Sequence, residues 1–179
     1  MVVLWRTDPS VQPRVEEHKW KKLATGWVKC NVDASFSSLS NRVGIGICIR
    51  DELGAYVLGK YEQFTLLCDV KIGKALDLLS ALNWAHELNL GPVDLELDSK
   101  VVVDKFHSNK SDDTELGDII SHCRQLFFNF YNNSSVKFIR RQANKVAHRL
   151  AKAGSYIVSP QIMVDIPYCI ERLLINDML

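Results

Sequence analysis

The amino-acid sequence predicts an α/β domain on a five-stranded mixed sheet, an antiparallel meander plus two parallel strands, with helices on both faces. Three early segments alternate apolar and polar residues, which is typical of strands with one buried face. The apolar period then becomes helical, and two further short alternating segments are separated by helices. A meander followed by helix-separated strands favours a mixed sheet covered on both sides.

The predicted elements follow in the order β-β-β-α-β-α-α-β-α. We expect strands at Trp27–Phe36, Val43–Arg50, Ala55–Phe64 and Val93–Asp98, and a last strand from Val136 to Phe138 or Ile139. We expect helices at Ile72–Asn89, Lys100–His107 and Glu115–Asn129, with Asn144 opening the last one. Gly44 and Gly46 leave one face of the second strand flat enough for close approach. A right-handed crossover makes the fourth strand parallel to the first, which brings Asp33 and Asp98 together.

The length of 179 residues is that of one domain with short extensions. The 47% of apolar residues provides enough material for a core. We expect residues 1–25 to be a linker or the remnant of an upstream segment, residues 26–156 to form the domain, and residues 157–179 to be a tail with one short helix near Ile170–Ile175.

The cysteine pattern indicates a reducing compartment. The five cysteines are widely spaced and form no Cys-x-x-Cys pair. The N-terminus lacks the apolar centre of a signal peptide, and no apolar run approaches the ~18 residues of a membrane span. We therefore expect an intracellular protein of the nucleus or cytoplasm with no membrane contact.

Charge is unevenly distributed, although the net charge is only +1. Eight acidic residues lie between Asp94 and Asp118, whereas residues 119–164 contain none. The basic residues of that second segment are Arg124, Lys137, Arg140, Arg141, Lys145, Arg149 and Lys152. Two interpretations stay open: a surface that binds a polyanion beside a carboxylate cluster, or two ordinary solvated helix faces.

Four blocks of the sequence resemble a type 1 ribonuclease H domain of the plant, retroelement-related kind. They are Gly26–Phe36, Gly44–Gly54, Leu95–Asp104 and Arg140–Lys152, in unbroken order over about residues 20–155. The resemblance implies a ribonuclease H-like fold and hydrolysis of the RNA strand of an RNA–DNA hybrid. Enzymes of this family use four carboxylates to hold two divalent cations, Mg²⁺ or Mn²⁺, about 4 Å apart.

Carried over motif by motif, the resemblance assigns two of the four carboxylates to Asp33 and Asp98. The second carboxylate belongs to an Ala-Glu-Ala pattern that reads Gly-Lys-Ala here, so Lys74 takes its place. The fourth is an aspartate whose position is held by His148. Metal binding through Asp33 and Asp98 is therefore expected to be weak or absent, and the Lys74 ammonium is expected to pair with both carboxylates.

Two nearby acids are candidates to compensate for the lost ligands. Asp77 lies three residues after Lys74, and Asp69 lies just before the predicted helix. Either would need backbone adjustment to reach the pair of aspartates, so we expect both to be ordinary solvated carboxylates.

The predicted function is a ribonuclease H-like domain that binds an RNA–DNA hybrid or another duplex and is catalytically impaired. One alternative is an active ribonuclease that depends on a divalent metal. Another is a protein-interaction domain or a decaying retroelement fragment. The candidate nucleic-acid contacts are Arg140, Arg141, Asn144, Lys145 and Arg149, although a helix cap alone would explain Asn144.

Overall fold

A six-stranded mixed sheet forms the centre of the molecule. The computed structural model describes residues 23–65, 69–154, 156–157 and 159–178. The strands are β1 (Val28–Ser37), β2 (Arg42–Arg50), β3 (Tyr56–Thr65), β4 (Val93–Leu97), β5 (Ser135–Phe138) and β6 (Gln161–Met163). The helices are α1 (Val70–Glu87), α2 (Lys100–His107), α3 (Glu115–Phe130), α4 (Lys145–Gly154) and α5 (Tyr168–Met178), with a 3₁₀ turn at Arg141–Ala143. Most of the predicted linker lies outside the described residues.

The strands lie in the order β5-β4-β1-β2-β3-β6. The first three strands form the predicted antiparallel meander, and β4 and β5 run parallel to β1. The prediction of five strands was wrong, because β6 adds an antiparallel edge strand to β3. Its three residues pair with Gly59–Tyr61, and three residues are too few to show a period in sequence.

Helices cover both faces of the sheet. On one face, branched residues of β1, β2 and β4 form the main core with the apolar side of α1 and with α2 and α3. On the other face, Cys48 packs with Val146 and Leu150 of α4 and with Ile170 and Leu174 of α5. Asn31 and Asp33 of β1 are the strand partners of Cys48 and Gly46, which pack against α4, so these polar residues lie on the α4 side of the sheet.

Two contacts fix α4 against the sheet. A Cβ at Gly46 would collide with the backbone nitrogen of Ala151 and the backbone oxygen of Ala147, so only glycine permits this approach. The Asn144 side chain, 1% exposed, donates from Nδ2 to the carbonyl of Val32 at 2.9 Å. Together these contacts hold the first turns of α4 beside β1.

The C-terminal segment packs onto the sheet. Arg50 of β2, which is buried, donates from Nη2 to Oδ2 of Asp177 in α5 at 2.9 Å. The proposed boundary between domain and tail stays a prediction. None of the helices in the described ranges combines the length and the apolar character that crossing a bilayer would require.

Candidate functional site

Two aspartates meet where β1 and β4 run side by side. Val32 and Leu97 are partners in the parallel register, and Asp33 and Asp98 are the residues that follow them. The side chain of Asp33 is 1% exposed and that of Asp98 is 9% exposed. The prediction that the crossover makes these residues neighbours is confirmed.

The Lys74 ammonium lies between the two carboxylates. Lys74 projects from the second turn of α1, and its Nζ donates to Oδ1 of Asp33 and, at 2.7 Å, to Oδ1 of Asp98. The side chain is only 14% exposed. The salt bridge expected from the sequence is therefore present, and a protein cation occupies the space between the acids.

His148 reaches the same cluster from α4. Its Nδ1 lies 2.6 Å from Oδ2 of Asp33, so the two carboxylate oxygens of Asp33 contact different partners. Nη2 of Arg141 lies 3.1 Å from Nε2 of His148. The same Nη2 lies 3.3 Å from Nδ1. Because an ionised carboxylate can only accept, we place an imidazole proton on Nδ1, facing Asp33.

Asp77 corrects one expectation, since it is not a solvated carboxylate. It is fully buried in α1, and neither carboxylate oxygen has a hydrogen-bond partner among the described residues. Burial raises its pKa well above the ordinary value, against the lowering effect of Lys74. The sequence carried a signal for this burial, because Gly73, Asp77, Ala81 and Ala85 recur every four residues and all lie on the inward side of α1.

Asp69 has a separate role from the cluster. It is exposed at the start of α1, and its Oδ1 accepts from the backbone nitrogen of Lys71 at 3.0 Å. This is an N-terminal cap, which satisfies one of the donors that the first turn of a helix leaves free.

The protonation of the cluster follows from burial and charge. Burial alone would lower the pKa of Lys74, but Asp77 and Asp33 outweigh it, so the pKa of Lys74 is raised and the side chain stays cationic. Burial raises the pKa of Asp33, opposed by Lys74. The cluster is thus an internal ion pair with a third, buried carboxyl group close behind it.

The residues present do not fit a two-metal centre. The ammonium of Lys74 contacts both of the carboxylates that would have to bind the ions. Within the described ranges, no three or more His, Cys, Asp or Glu side chains are grouped so that they could hold a metal ion. An imidazole in the fourth position is also a poor ligand for Mg²⁺, which prefers oxygen.

A basic surface borders the cluster on the α4 side. A cavity of about 360 Å³ lies along α4. Its charged lining consists of Arg141, Lys145, Arg149 and Lys152 beside His148. Of the other candidate contacts, Arg140 is exposed immediately before this surface, whereas Asn144 is buried against β1 and faces the protein.

Solved structures of ribonucleases H share this fold. RNase H1 of the halophilic archaeon Halobacterium salinarum superposes with a TM-score of 0.64 at 18% identity, over 72% of this chain and 96% of that one. LC11-RNase H1, whose structure contains an RNA/DNA hybrid, gives a TM-score of 0.64 at 16% identity, over 72% and 96% of the two chains. At these identities the likeness concerns the fold alone.

Sequence comparison identifies the relatives more specifically. A protein of Arabidopsis thaliana named "Putative ribonuclease H protein" is 28% identical over 141 residues. The match covers 78% of this chain but only 22% of that protein, so the chain spans about a fifth of its relative's length. The model of the reverse transcriptase-like family matches residues 31–154, a range that contains all four positions of the cluster. This chain belongs to the reverse transcriptase-like family and carries its ribonuclease H-like domain.

Proposed function

We propose that this domain binds nucleic acid and is impaired in the metal-dependent hydrolysis of RNA–DNA hybrids. The observation that carries the proposal is the position of Lys74, whose ammonium contacts both Asp33 and Asp98. The ammonium of Lys74 therefore contacts carboxylate oxygens of the kind that a two-metal nuclease offers to its metal ions.

Electrostatics supports the impairment. Replacing a carboxylate by an ammonium changes the local charge by two units at the point where a dication would bind. At ~4 Å and an effective dielectric constant of ~20, each pair of unit charges contributes about 4 kcal/mol. Solvent screening reduces this figure because Lys74 is partly exposed, yet the remaining penalty still disfavours a metal ion.

Two features support a nucleic-acid partner. Exposed cations of α4 and of the preceding turn surround one cavity beside the cluster, which is suited to a run of phosphates. LC11-RNase H1, which shares the fold, binds an RNA/DNA hybrid in its structure. A hybrid is therefore the first ligand to test, with duplex DNA and duplex RNA as comparisons.

A cleavage assay tests the impairment. The protein is incubated with end-labelled RNA–DNA hybrid and Mg²⁺ or Mn²⁺, beside an Asp33→Asn variant purified in parallel. We expect no metal-dependent cleavage that separates the two proteins. Cleavage by the unmodified protein that Asp33→Asn abolishes would favour the alternative, an active metal-dependent ribonuclease that uses Asp33 and Asp98.

The reversion variant sharpens this assay. Lys74→Glu combined with His148→Asp restores the carboxylates of the family pattern, and we expect it to bind Mn²⁺ measurably by calorimetry. Failure of this folded variant to bind the ion would show that the two substitutions are not what prevents metal binding.

A binding assay tests the nucleic-acid partner. We expect affinity for the hybrid to fall steeply with salt concentration, because phosphate contacts release counterions. Changing Arg140, Arg141 and Lys145 together to alanine should weaken binding about tenfold or more. The matched control changes Lys100, Lys105 and Lys110 to alanine. These lysines lie on α2 and the loop after it, away from α4, and replacing them removes the same amount of charge. Equal effects of the two triple variants would reject the basic surface as the contact.

A further inference from the structure

The Lys74 ammonium faces a second cavity, of about 480 Å³, on the open side of the cluster. Lys74 and Asp98 line this cavity together with Arg141, His148 and Lys152. Arg141, His148 and Lys152 also line the basic cavity of α4, so these three side chains form the boundary between the two spaces. A strand of nucleic acid that contacts the basic surface would therefore pass next to Lys74.

Hydrogen-bond capacity remains at the ammonium. A protonated lysine carries three N–H donors, and Lys74 directs two of them to Oδ1 of Asp33 and Oδ1 of Asp98. The third N–H donor has no hydrogen-bond partner among the described residues. An acceptor oxygen in the cavity would complete the coordination of the ammonium.

Charge in the cavity favours an anionic acceptor. The carboxylates of Asp33 and Asp98 are balanced in part by Lys74, and the guanidinium of Arg141 stands 3.1 Å from the imidazole of His148. Lys152 adds a further cation to the same lining. The lining thus carries three cationic side chains, Lys74, Arg141 and Lys152, against the single carboxylate of Asp98, with Asp33 buried behind them.

We propose that Lys74 takes over the ligand-binding role of a metal ion, holding a backbone phosphodiester of the nucleic acid in this cavity together with Arg141. Two bare carboxylates would repel a phosphate, and a divalent cation would be needed to bring them together. Here the cation is part of the chain, so nucleic acid binds without divalent metal. The inference rests on the proposed function, because it explains how the same site holds its ligand.

The first test compares binding with and without divalent metal. Fluorescence anisotropy measures the affinity of the full chain for an RNA–DNA hybrid in EDTA and in Mg²⁺ at equal ionic strength. We expect the two dissociation constants to agree within about threefold, which is less than the effect of one lost charge contact. Binding that requires Mg²⁺ would overturn the inference while leaving the nucleic-acid partner intact. The absence of binding in both buffers would overturn the proposed function as well.

The second test changes the ammonium itself. Lys74→Met retains the length of the side chain without its charge, and it should weaken binding in EDTA about tenfold and reduce the salt dependence by about one phosphate contact. Lys110→Met, in an exposed loop, removes the same charge elsewhere and should leave affinity nearly unchanged. Equal affinities of these two variants would overturn the role of Lys74.

Two further variants keep the second test decisive if Lys74→Met is poorly folded. Lys74→Arg preserves the charge and should retain binding in EDTA within a fewfold of the unmodified protein. Lys74→Glu should make binding depend on Mg²⁺, because the site then presents carboxylates alone to the phosphate. A Lys74→Glu variant that binds equally in EDTA and Mg²⁺ would contradict the inference.

Discussion

Two lysine–carboxylate clusters lie along β1 and β4. The inner cluster consists of Lys29, Asn31 and Glu96: Nζ of Lys29 lies 2.8 Å from Oε1 of Glu96, and Nδ2 of Asn31 donates to Oε2 at 2.9 Å. The outer cluster consists of Asp33, Asp98, Lys74 and His148. Both join a lysine to buried acids, yet only the outer cluster lies at the positions to which the sequence resemblance assigns metal-binding carboxylates.

Burial alone does not distinguish the clusters. The side chains of Lys29 and Glu96 are 4% and 12% exposed, and those of Lys74 and Asp33 are 14% and 1% exposed. The clusters differ in which elements supply their side chains and in whether they border a cavity. Asn31 and Glu96 are partners in the strand register, so the sheet itself builds the inner cluster. The outer cluster takes Lys74 from α1 and His148 from α4, and it borders a cavity. A polar cluster becomes a candidate site when separate elements supply it beside open space.

Removing the lysine should give the largest difference in stability between the two clusters. Lys29→Met leaves Glu96 buried without its cation, and breaking such a pair costs about 3 kcal/mol of the free energy of unfolding. Lys74→Met should cost about 1–2 kcal/mol, because Asp33 retains His148 and the cavity gives Asp98 access to water. Urea denaturation with linear extrapolation measures both values.

The control for this comparison is Lys110→Met, whose exposed side chain should change stability by less than about 0.5 kcal/mol. A loss for Lys74→Met as large as that for Lys29→Met would mean that the outer cluster is as closed to solvent as the inner one.

The sequence was informative wherever local pattern and chain direction determined the outcome. Alternation in β1 and β4 and the handedness of the crossover were enough to predict that Asp33 and Asp98 lie together, because neither rule requires knowledge of particular side-chain contacts. The resemblance then directed attention to Lys74 and His148. The salt bridge followed from charge, since a lysine placed between two carboxylates has few other favourable positions.

Long-range packing determined what the sequence did not reveal. The burial of Asp77 depends on α3 covering α1, and the inward orientation of Asn144 depends on the Val32 carbonyl, 112 residues away in the chain. The edge strand β6 consists of three residues whose pairing with β3 leaves no periodic signal. Each case requires knowledge of a distant partner rather than of neighbours in sequence.

The position of α4 gives a second test of the difference between the two clusters. In Gly46→Ala the new Cβ would meet the backbone of Ala147 and Ala151, so α4 must shift and carry His148 away from Asp33. Overpacking of this kind costs about 1–3 kcal/mol. The inner cluster does not involve α4, so its ion pair should survive the shift.

Gly91→Ala is the matched control, since its added Cβ would lie 4.0 Å from the carbonyl oxygen of Gly26, an ordinary contact. Stability is measured by urea denaturation, and the shift of the His148 ring signals is followed by nuclear magnetic resonance. Unchanged His148 signals in a folded Gly46→Ala protein would contradict a role for this glycine in positioning the outer cluster.

Asp77 gives the smallest expected effect, and it tests the charge balance of the outer cluster through pH. Its pKa is raised in the folded state above the ordinary value of 3.8, so the folded protein retains a proton that the unfolded chain releases. The free energy of unfolding therefore falls as pH rises above that ordinary value, by up to about 1.4 kcal/mol per pH unit for one proton. Asparagine has no titratable group at this position, so the stability of Asp77→Asn relative to the unmodified protein should increase as pH rises above that ordinary value.

Urea denaturation at several pH values measures the difference between the two proteins, in which the contributions of all other carboxylates largely cancel. Asp118→Asn, at an exposed position of α3, should show no such trend. A constant difference between Asp77→Asn and the unmodified protein across the pH range would mean that Asp77 is ionised in the folded state. The two carboxylates of the outer cluster and the adjacent Asp77 would then place three negative charges around one lysine, and the outer cluster would differ from the inner one in charge as well as in access.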